Sequence, residues 1–427
     1  MKNTEYFKGK KITVVGLARS GSACAALLSS LGAEVYVTEL QDNEVTRRKA
    51  SELIARGIQV ELGLHSEGFI AHKDMVVLSP GVENTALPVV WADQFGVPIV
   101  SEIEIGWMVC PARIIAVTGS NGKTTVTTLI GQVIEAAGKK ALVCGNIGTP
   151  FTSVVAAMVP EDYVSLEVSS FQLERIRTFR PFIACVLNFT RNHLDRYRSM
   201  EEYVQAKKRI AINQGKGDSL VLNYNDETAR GLAKETKAEV IYFYEGQKLN
   251  PNQAAVMAVG SILGIRKDTM EEVFKGFKGL SHRMEYVAQI ANVTFVNDSK
   301  ATTADSTLWA LKNIQGRVIL IAGGKDKGVD YRLILGVAKD KVKELILIGE
   351  AAAKIETALR NAFPIQKATT LQEAVEKAYR DAEAGDYVLL SPMCSSFDMF
   401  LNYEERGEVF REAVKKLLSA NRGAAAH

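Results

Sequence analysis

No two of the five cysteines (Cys24, Cys110, Cys144, Cys185 and Cys394) stand in C-x-x-C spacing, and their number is odd. That excludes a disulfide framework and a zinc site of ordinary ligand spacing, and fits reduced cytosolic thiols. No uncharged apolar run approaches the ~20 residues needed to span a bilayer, so no membrane segment is expected. The opening M-K-N-T-E-Y-F-K-G-K-K is too polar and charged for a signal peptide. A cytoplasmic location is therefore expected. Charge of one sign is also missing: 52 Lys and Arg against 49 Asp and Glu leave a formal +3. Neither nucleic acid nor a membrane surface is implied as a partner. Low-complexity sequence is confined to the alanines at 424–426.

What is present is an ordinary globular composition, 47% hydrophobic and 24% charged, over 427 residues. That length accommodates two to four domains. The most informative stretch is 114–125, I-I-A-V-T-G-S-N-G-K-T-T. Its apolar run predicts a buried strand, Gly119 and Gly122 a tight loop, and Lys123-Thr124-Thr125 the start of a helix. Backbone N–H groups of Ser120 and Asn121, a helix N-terminus and a lysine then converge on one spot, the arrangement that holds a polyphosphate. The hydroxyl after the lysine is a natural Mg²⁺ ligand. The loop is not a regular Walker A, because Val117 stands where its first glycine would be. A bare glycine-rich turn with a surface lysine is the alternative, and G-K-T-T directly after an apolar strand outweighs it.

Before this stretch, a strand at 11–15 leads through G-L-A-R-S-G (16–21) into a helix over 22–31 and a strand ending on Glu39. The glycine pattern is G-x-x-x-x-G, so a ligand-free turn reads equally well. Strands at 75–79 (followed by Pro80-Gly81) and 98–100 complete a first α/β domain. Beyond the phosphate loop, strands at 141–144, 163–168 and 183–187 run into G-N-I-G, S-S-F-Q-L-E and N-F-T-R-N-H-L-D-R-Y. Parallel sheets gather ligands at the carboxyl ends of their strands. Asn146, Glu167, His193 and Asp195 would share that rim with Lys123. A helix over 201–212 carries Lys207 and Lys208. After 278–279 the same grammar returns, with strands feeding N-D-S-K-A-T-T (297–303), G-G-K-D-K-G (323–328) and S-P-M-C-S-S-F-D (391–398). The expected fold class is α/β in three domains: Rossmann-like at 1–100, a P-loop-type ATPase with a mostly parallel sheet at 101–279, and Rossmann-like at 280–427.

Mg²⁺ prefers oxygen, so Thr124 and Glu167 are its natural ligands. A helix N-cap carboxylate is the alternative for Glu167. For His193 the alternative is a satisfied turn histidine, which in isolation is the stronger reading. Lys300, Thr302, Lys327 and Ser396 lie on loops that could hold an anionic acceptor, or their lysines could simply be solvated.

T-G-S-N-G-K-T-T, G-N-I-G, E-V-S-S-F-Q-L-E, N-H-L-D-R-Y, A-K-K-R-I, S-H-R-M-E, N-D-S-K-A-T, A-G-G-K-D-K-G and S-P-M-C-S-S-F-D-M-F follow the order seen in the Mur ligases. The resemblance covers nearly the whole chain. V-V-G-L-A-R-S-G and S-S-F-D-M-F resemble the branch that joins D-glutamate to UDP-N-acetylmuramoyl-L-alanine. A D-N-P-R-type motif, typical of the diamino-acid-adding branch, is absent.

The resemblance implies UDP-binding, ATP-binding and amino-acid-binding domains and a monomer. Lys123 would hold the β/γ-phosphates. One Mg²⁺ would sit on Thr124 and Glu167, a second on His193 and on Lys207 carbamylated by CO₂. Asn250 and Gln253 stand in for the adenine-binding asparagines of a G-x-H-N-x-x-N stretch that here reads K-L-N-P-N-Q. Arg283, Asp298 and Lys300 would close over ATP. Arg19, Ser20, Thr38 and Glu39 would contact the uridine part of the substrate, with Ser79, Gly81, Asn146 and Ser169 along the rest. Thr302, Lys327, Ser396, Phe397 and Tyr403 would hold D-glutamate. Arg191-Asn192 stand where the family commonly has acidic residues. The implied chemistry is carboxylate activation as an acyl phosphate, then attack by the amine. Within the family the alternative is another amino-acid-adding ligase or a folylpolyglutamate-type ligase. A nicotinamide enzyme built on 16–21 would leave Lys123, Glu167 and His193 unexplained, and a nucleotide-regulated binding protein would bind ATP with no substrate-dependent phosphate release.

Overall fold

Three successive runs of strand–helix alternation build three sheets in the computed structural model, which describes residues 1–146, 148–190, 196–244, 246, 249–277, 279–326, 328 and 330–424. The chain divides into two compact units, 1–277 and 278–427.

The first sheet contains β1 (Lys11–Val15), β2 (Glu34–Glu39), β3 (Gln59–Leu62), β4 (Met75–Leu78) and β5 (Ile99–Ser101). They lie in the order β3-β2-β1-β4-β5, all parallel. The second contains β6 (Arg113–Thr118), β7 (Ala141–Gly145), β8 (Tyr163–Glu167), β9 (Ile183–Val186), β10 (Ser219–Asn223) and β11 (Glu239–Phe243). Its order is β11-β10-β9-β6-β8-β7, again wholly parallel. β8 and β9 are buried along their whole length, as strands covered by helices on both faces must be.

The helix expected over 22–31 spans Arg19–Ser30. Gly16, at φ +96°, makes the turn by itself, and Gly21 lies inside the helix. A Cβ on Gly21 would stand 1.9 Å from the Gly16 carbonyl oxygen, so this glycine permits the helix to press on the strand end. The helix expected over 201–212 is α-helical over Met200–Lys208 and tightens to a 3₁₀ turn at Arg209–Ala211.

One hydrophobic core runs through both sheets of the first unit, from Val14 and Val37 to Ala116, Leu166 and Leu222. The helix Glu102–Val109, entered directly from β5, contributes Ile103, Ile105 and Val109 to it. Its glutamates are buried with partners: Glu104 accepts the N–H groups of Arg177, Thr178 and Phe179 at 2.8–3.0 Å.

The second unit holds β12 (Glu285–Ile290), β13 (Val293–Asn297), β14 (Val318–Gly323), β15 (Val342–Ile348), β16 (Ile365–Lys367) and β17 (Tyr387–Leu390). Their order is β12-β13-β17-β14-β15-β16, with only β12 and β13 antiparallel. That hairpin turns on Ala291 and Asn292, both left-handed, the geometry a two-residue turn requires. Among the described residues no helix is long and apolar enough to cross a membrane.

Candidate functional site

The loop after β6 is built as its sequence suggests. Gly119 and Gly122 take φ +154° and +83°, and the helix Lys123–Ala136 starts at the lysine. Residues 188–190, following β9, clamp it. Asn188 Oδ1 accepts the Asn121 N–H at 2.9 Å, and Asn188 Nδ2 donates to the Asn121 carbonyl at 3.2 Å. Ser120 Oγ accepts the Thr190 N–H at 2.9 Å and meets the Tyr203 hydroxyl at 2.9 Å. Burial pushes that phenol up to about 12. Lys123 Nζ donates to the Gly119 and Ser120 carbonyls at 2.9 Å each, which folds the cation over its own loop.

Glu167 ends β8 and is only 2% exposed. Its Oε1 accepts from Asn146 Nδ2 at 2.9 Å, while Oε2 is buried without a hydrogen-bond partner among the described residues. It is not the helix cap. Ser169 caps the helix Ser170–Glu174 in a reciprocal box with Gln172, so the N-cap alternative for Glu167 falls. Lys207 is also 2% exposed, with Nζ 3.4 Å from Thr118 Oγ1 and 4.9 Å from the Tyr203 ring centre. Burial holds its amine well below the ordinary lysine range; the charge of Lys123 adds to this and that of Glu167 opposes it. Lys208 is different: it pairs with Glu235 at 2.8 Å on the surface. His193 and Asp195 lie outside the described residues. Among the described residues no three His, Cys, Asp or Glu side chains gather as a metal cage. Mg²⁺ does not need one, since it keeps waters and phosphate oxygens beside one or two carboxylates. The unpartnered Glu167 oxygen and the Thr124 hydroxyl suit it.

Asn250 and Gln253 bond each other: Asn250 Oδ1 accepts the Gln253 N–H and Gln253 Oε1 the Asn250 N–H, at 3.0 and 3.2 Å. They cap the helix Pro251–Ile262. Asn252, which sequence reasoning missed, is the residue turned to the phosphate loop. Its Oδ1 would stand 2.4 Å from a Cβ on Gly122.

The carboxyl ends of β1, β2 and β4 form a cleft of about 660 Å³ lined by Gly16, Arg19, Ser20, Glu39, Ser79, Gly81 and Asn146. The cleft thus reaches to the residue that hydrogen-bonds Glu167. Glu39 fastens the first turn, accepting the Leu17 N–H at 2.7 Å. Ser79 Oγ donates to the Gly16 carbonyl at 3.1 Å. One expectation needs correction. Thr38 is fully buried, and its hydroxyl is committed to Glu61 and His65 at 2.6 Å each, so it is not a cleft wall. Ser169 is occupied as a helix cap.

In the second unit the loops after β13, β14 and β17 meet. The Asp298 N–H donates to Leu390 O, Gly323 N–H to Pro392 O and Met393 N–H to Ala301 O, at 2.8–3.0 Å. Burial raises the Asp298 carboxyl to about 7 against the nearby Arg283 charge. Arg283 Nε is buried without a hydrogen-bond partner among the described residues. Lys300 Nζ lies 5.4 Å from the Tyr403 ring centre. Thr302 is half-buried, Ser396 is buried and Phe397 is 67% exposed. Lys327 lies outside the described residues. Arg406 gave no signal in the sequence, yet it is wholly buried. Its guanidinium ties Ser299 to the Cys394 carbonyl at 2.8–3.2 Å.

A phosphate loop on a parallel sheet, with a second nucleotide-type sheet in the same unit and a third in the other, defines an α/β enzyme that uses a nucleoside triphosphate. Residues 10–101 match the Mur ligase MurD-like N-terminal domain, 117–290 the Mur ligase middle domain and 282–394 the Mur ligase, glutamate ligase domain. The UDP-N-acetylmuramoylalanine–D-glutamate ligase of Koribacter versatilis (strain Ellin345) is 38% identical over 445 residues, 96% of this chain and 98% of its own. The enzyme of the same name from Acidobacterium capsulatum is 39% identical over 456 residues, 98% of each. Among solved structures, UDP-N-acetylmuramate-alanine ligase from Thermotoga maritima superposes with a TM-score of 0.61 at 18% identity, over 95% of this chain and 99% of that one. A pseudomurein peptide ligase type C from Methanothermus fervidus gives 0.57 at 18%, over 96% and 100%. These two show the shared fold. The chain belongs to the Mur ligase family.

Proposed function

We propose that this protein joins D-glutamate to UDP-N-acetylmuramoyl-L-alanine, using ATP, in peptidoglycan precursor synthesis. The observation that carries the reading is the full-length relation to ligases of that name at 38–39% identity. Half-buried Lys123 with buried Glu167 and Lys207 supports it chemically. The working assignment is a cytoplasmic monomer, with the UDP-substrate domain at 1–100, the ATP domain at 101–279 and the amino-acid domain at 280–427.

In this account the alanyl carboxylate attacks the γ-phosphorus of ATP. The bond to the bridging oxygen breaks, leaving ADP and an acyl phosphate. The amine of D-glutamate attacks the acyl carbon, and the tetrahedral intermediate expels phosphate and loses a proton. Lys123 neutralises phosphate charge, and the loop N–H groups orient the chain. Mg²⁺, two ions expected, would add charge neutralisation at the phosphate oxygens. Glu167 and Thr124 would hold one ion, and His193 with Lys207 the other. Lys207 can serve only as a carbamate: its neutral amine adds to the CO₂ carbon, the nitrogen releases one proton to solvent, and the side chain then ends in an anionic oxygen pair. Asn252 takes the nucleotide-facing role expected of Asn250 and Gln253. Thr302, Lys327, Ser396, Phe397 and Tyr403 carry D-glutamate.

The test is phosphate release with ATP, UDP-N-acetylmuramoyl-L-alanine and D-glutamate, each omitted in turn. Full release is expected only with all three, and Lys123→Ala should lower it by on the order of 10²–10³. Release that ignores D-glutamate, or a folded Lys123→Ala that keeps full activity, contradicts the reading.

A further inference from the structure

His65 lies in the turn after β3 and lines the first-sheet cleft beside Glu39. None of the roles above uses it. Its Nδ1 is 2.6 Å from Thr38 Oγ1. The Thr38 hydroxyl has one hydrogen, which it donates to Glu61 Oε1 at 2.6 Å. A carboxylate only accepts, and Glu61 also takes the Ser66 N–H at 3.0 Å and the Ser66 hydroxyl at 2.6 Å. With its hydrogen spent, the Thr38 oxygen accepts from His65, so the ring proton sits on Nδ1. The other ring nitrogen, Nε2, keeps its lone pair. Among the described residues no protein group hydrogen-bonds it. Burial lowers the imidazole pKa, opposed by Glu61 and Glu39, which keeps the ring neutral near pH 7. A neutral ring with this tautomer presents a pure acceptor at Nε2.

Position in the sheet says which part of a nucleotide meets that acceptor. In dinucleotide folds the phosphates sit at the turn after β1 and the ribose at the acidic residue ending the next strand. Here these are residues 16–21 and Glu39. Strand order continues outward to β3, so His65 stands on the base side. Both Glu39 oxygens already accept backbone N–H groups, from Leu17 at 2.7 Å and Gln41 at 2.9 Å. Uracil has a single ring donor on its pairing edge, the imide N3–H; cytosine carries an acceptor there.

We propose that His65 is a specificity-determining residue of this cleft, its Nε2 accepting a hydrogen bond from the uracil imide, with Glu61 and Thr38 holding the ring in the required tautomer. The proposal rests on the cleft being the site of the UDP-linked substrate.

Titration calorimetry of the full chain with UDP and N3-methyl-UDP tests it. The unsubstituted protein should bind UDP at least about tenfold more tightly, the worth of one well-placed hydrogen bond. His65→Ala should weaken UDP by about tenfold and bring the two ligands within about twofold of each other. His65→Gln, which keeps an acceptor, should retain part of the preference. In turnover, His65→Ala should raise KM for the UDP substrate and leave KM for D-glutamate unchanged. A folded His65→Ala that keeps the full preference overturns the role of His65 alone. If that variant does not fold, His65→Phe, a ring without an acceptor, gives the same readout. Unsubstituted protein that binds no UDP overturns the cleft assignment itself.

Discussion

Lys207 and Lys208 are sequence neighbours in opposite surroundings, one sealed beside Thr118 and Tyr203, the other paired with Glu235 at the surface. A run of A-K-K-R reads as a solvated basic face, and the charge pattern alone gives no reason to separate them. The 100° step of a helix separates them completely. Lys207→Ala should lose activity by on the order of 10²–10³, and formate in the assay should partly restore it by supplying the missing carboxylate oxygens. Lys208→Ala should stay within about twofold, since exposed pairs contribute little. Activity that fails with Lys208 and survives the loss of Lys207 would remove the carbamate. Glu102 is a second buried ionisable residue, with one oxygen bonded by Gln172 and the other without a hydrogen-bond partner among the described residues. Burial raises its carboxyl from 4.5 to about 7. The folded state therefore holds this proton more tightly than the unfolded chain. Its stabilisation is complete below 4.5 and is lost as pH rises through about 7, with a slope of up to about 1.4 kcal/mol per pH unit. Glu102→Gln should flatten the fall of Tm across that window and raise Tm at pH 8. An unchanged slope would assign the titration elsewhere.

The helix Pro251–Ile262 shows what sequence reading resolves at the level of an element and what it does not. N-P-N-Q before an apolar stretch marks a helix start, and it also supplies amides where a nucleotide might need them. Both readings use the same residues. The fold divides the work: Asn250 and Gln253 close a capping box, and Asn252 faces Gly122. Asn250→Ala should therefore cost about 1 kcal/mol of stability and leave KM for ATP in place. Asn252→Ala should raise KM for ATP with little change in Tm. The opposite pattern would return the nucleotide to Asn250. The phosphate loop was legible because glycine, lysine and threonine have few other reasons to follow an apolar strand in that order. Glu167 was legible by position, at a strand end beside that loop. Thr38 is buried against alternation, since it shares a strand face with exposed Glu34; its cross-strand neighbour Glu61 and the turn residue His65 cover its hydroxyl, contacts between segments that the local sequence does not announce. Arg406 was invisible: a lone arginine in a charged amphipathic helix gives no sign that its head is buried.

At the scale of the whole molecule, the three-sheet organisation follows from strands ending in glycine and polar residues, which recur along the entire chain. That two of the sheets share one core was not readable. The helix Glu102–Val109 that joins them has the composition of any apolar helix, and only the fold shows its isoleucines entering a core common to both. The ligase reading makes one demand of the entire protein that neither an ATPase nor a nucleotide-binding protein shares: the acceptor's own carboxylate oxygen must leave with phosphate. UDP-N-acetylmuramoyl-L-alanine labelled with ¹⁸O in its alanyl carboxylate, turned over with ATP and D-glutamate, tests this by mass spectrometry of the released phosphate. The account predicts one ¹⁸O in each phosphate formed. Phosphate carrying oxygen only from ATP and water would contradict it.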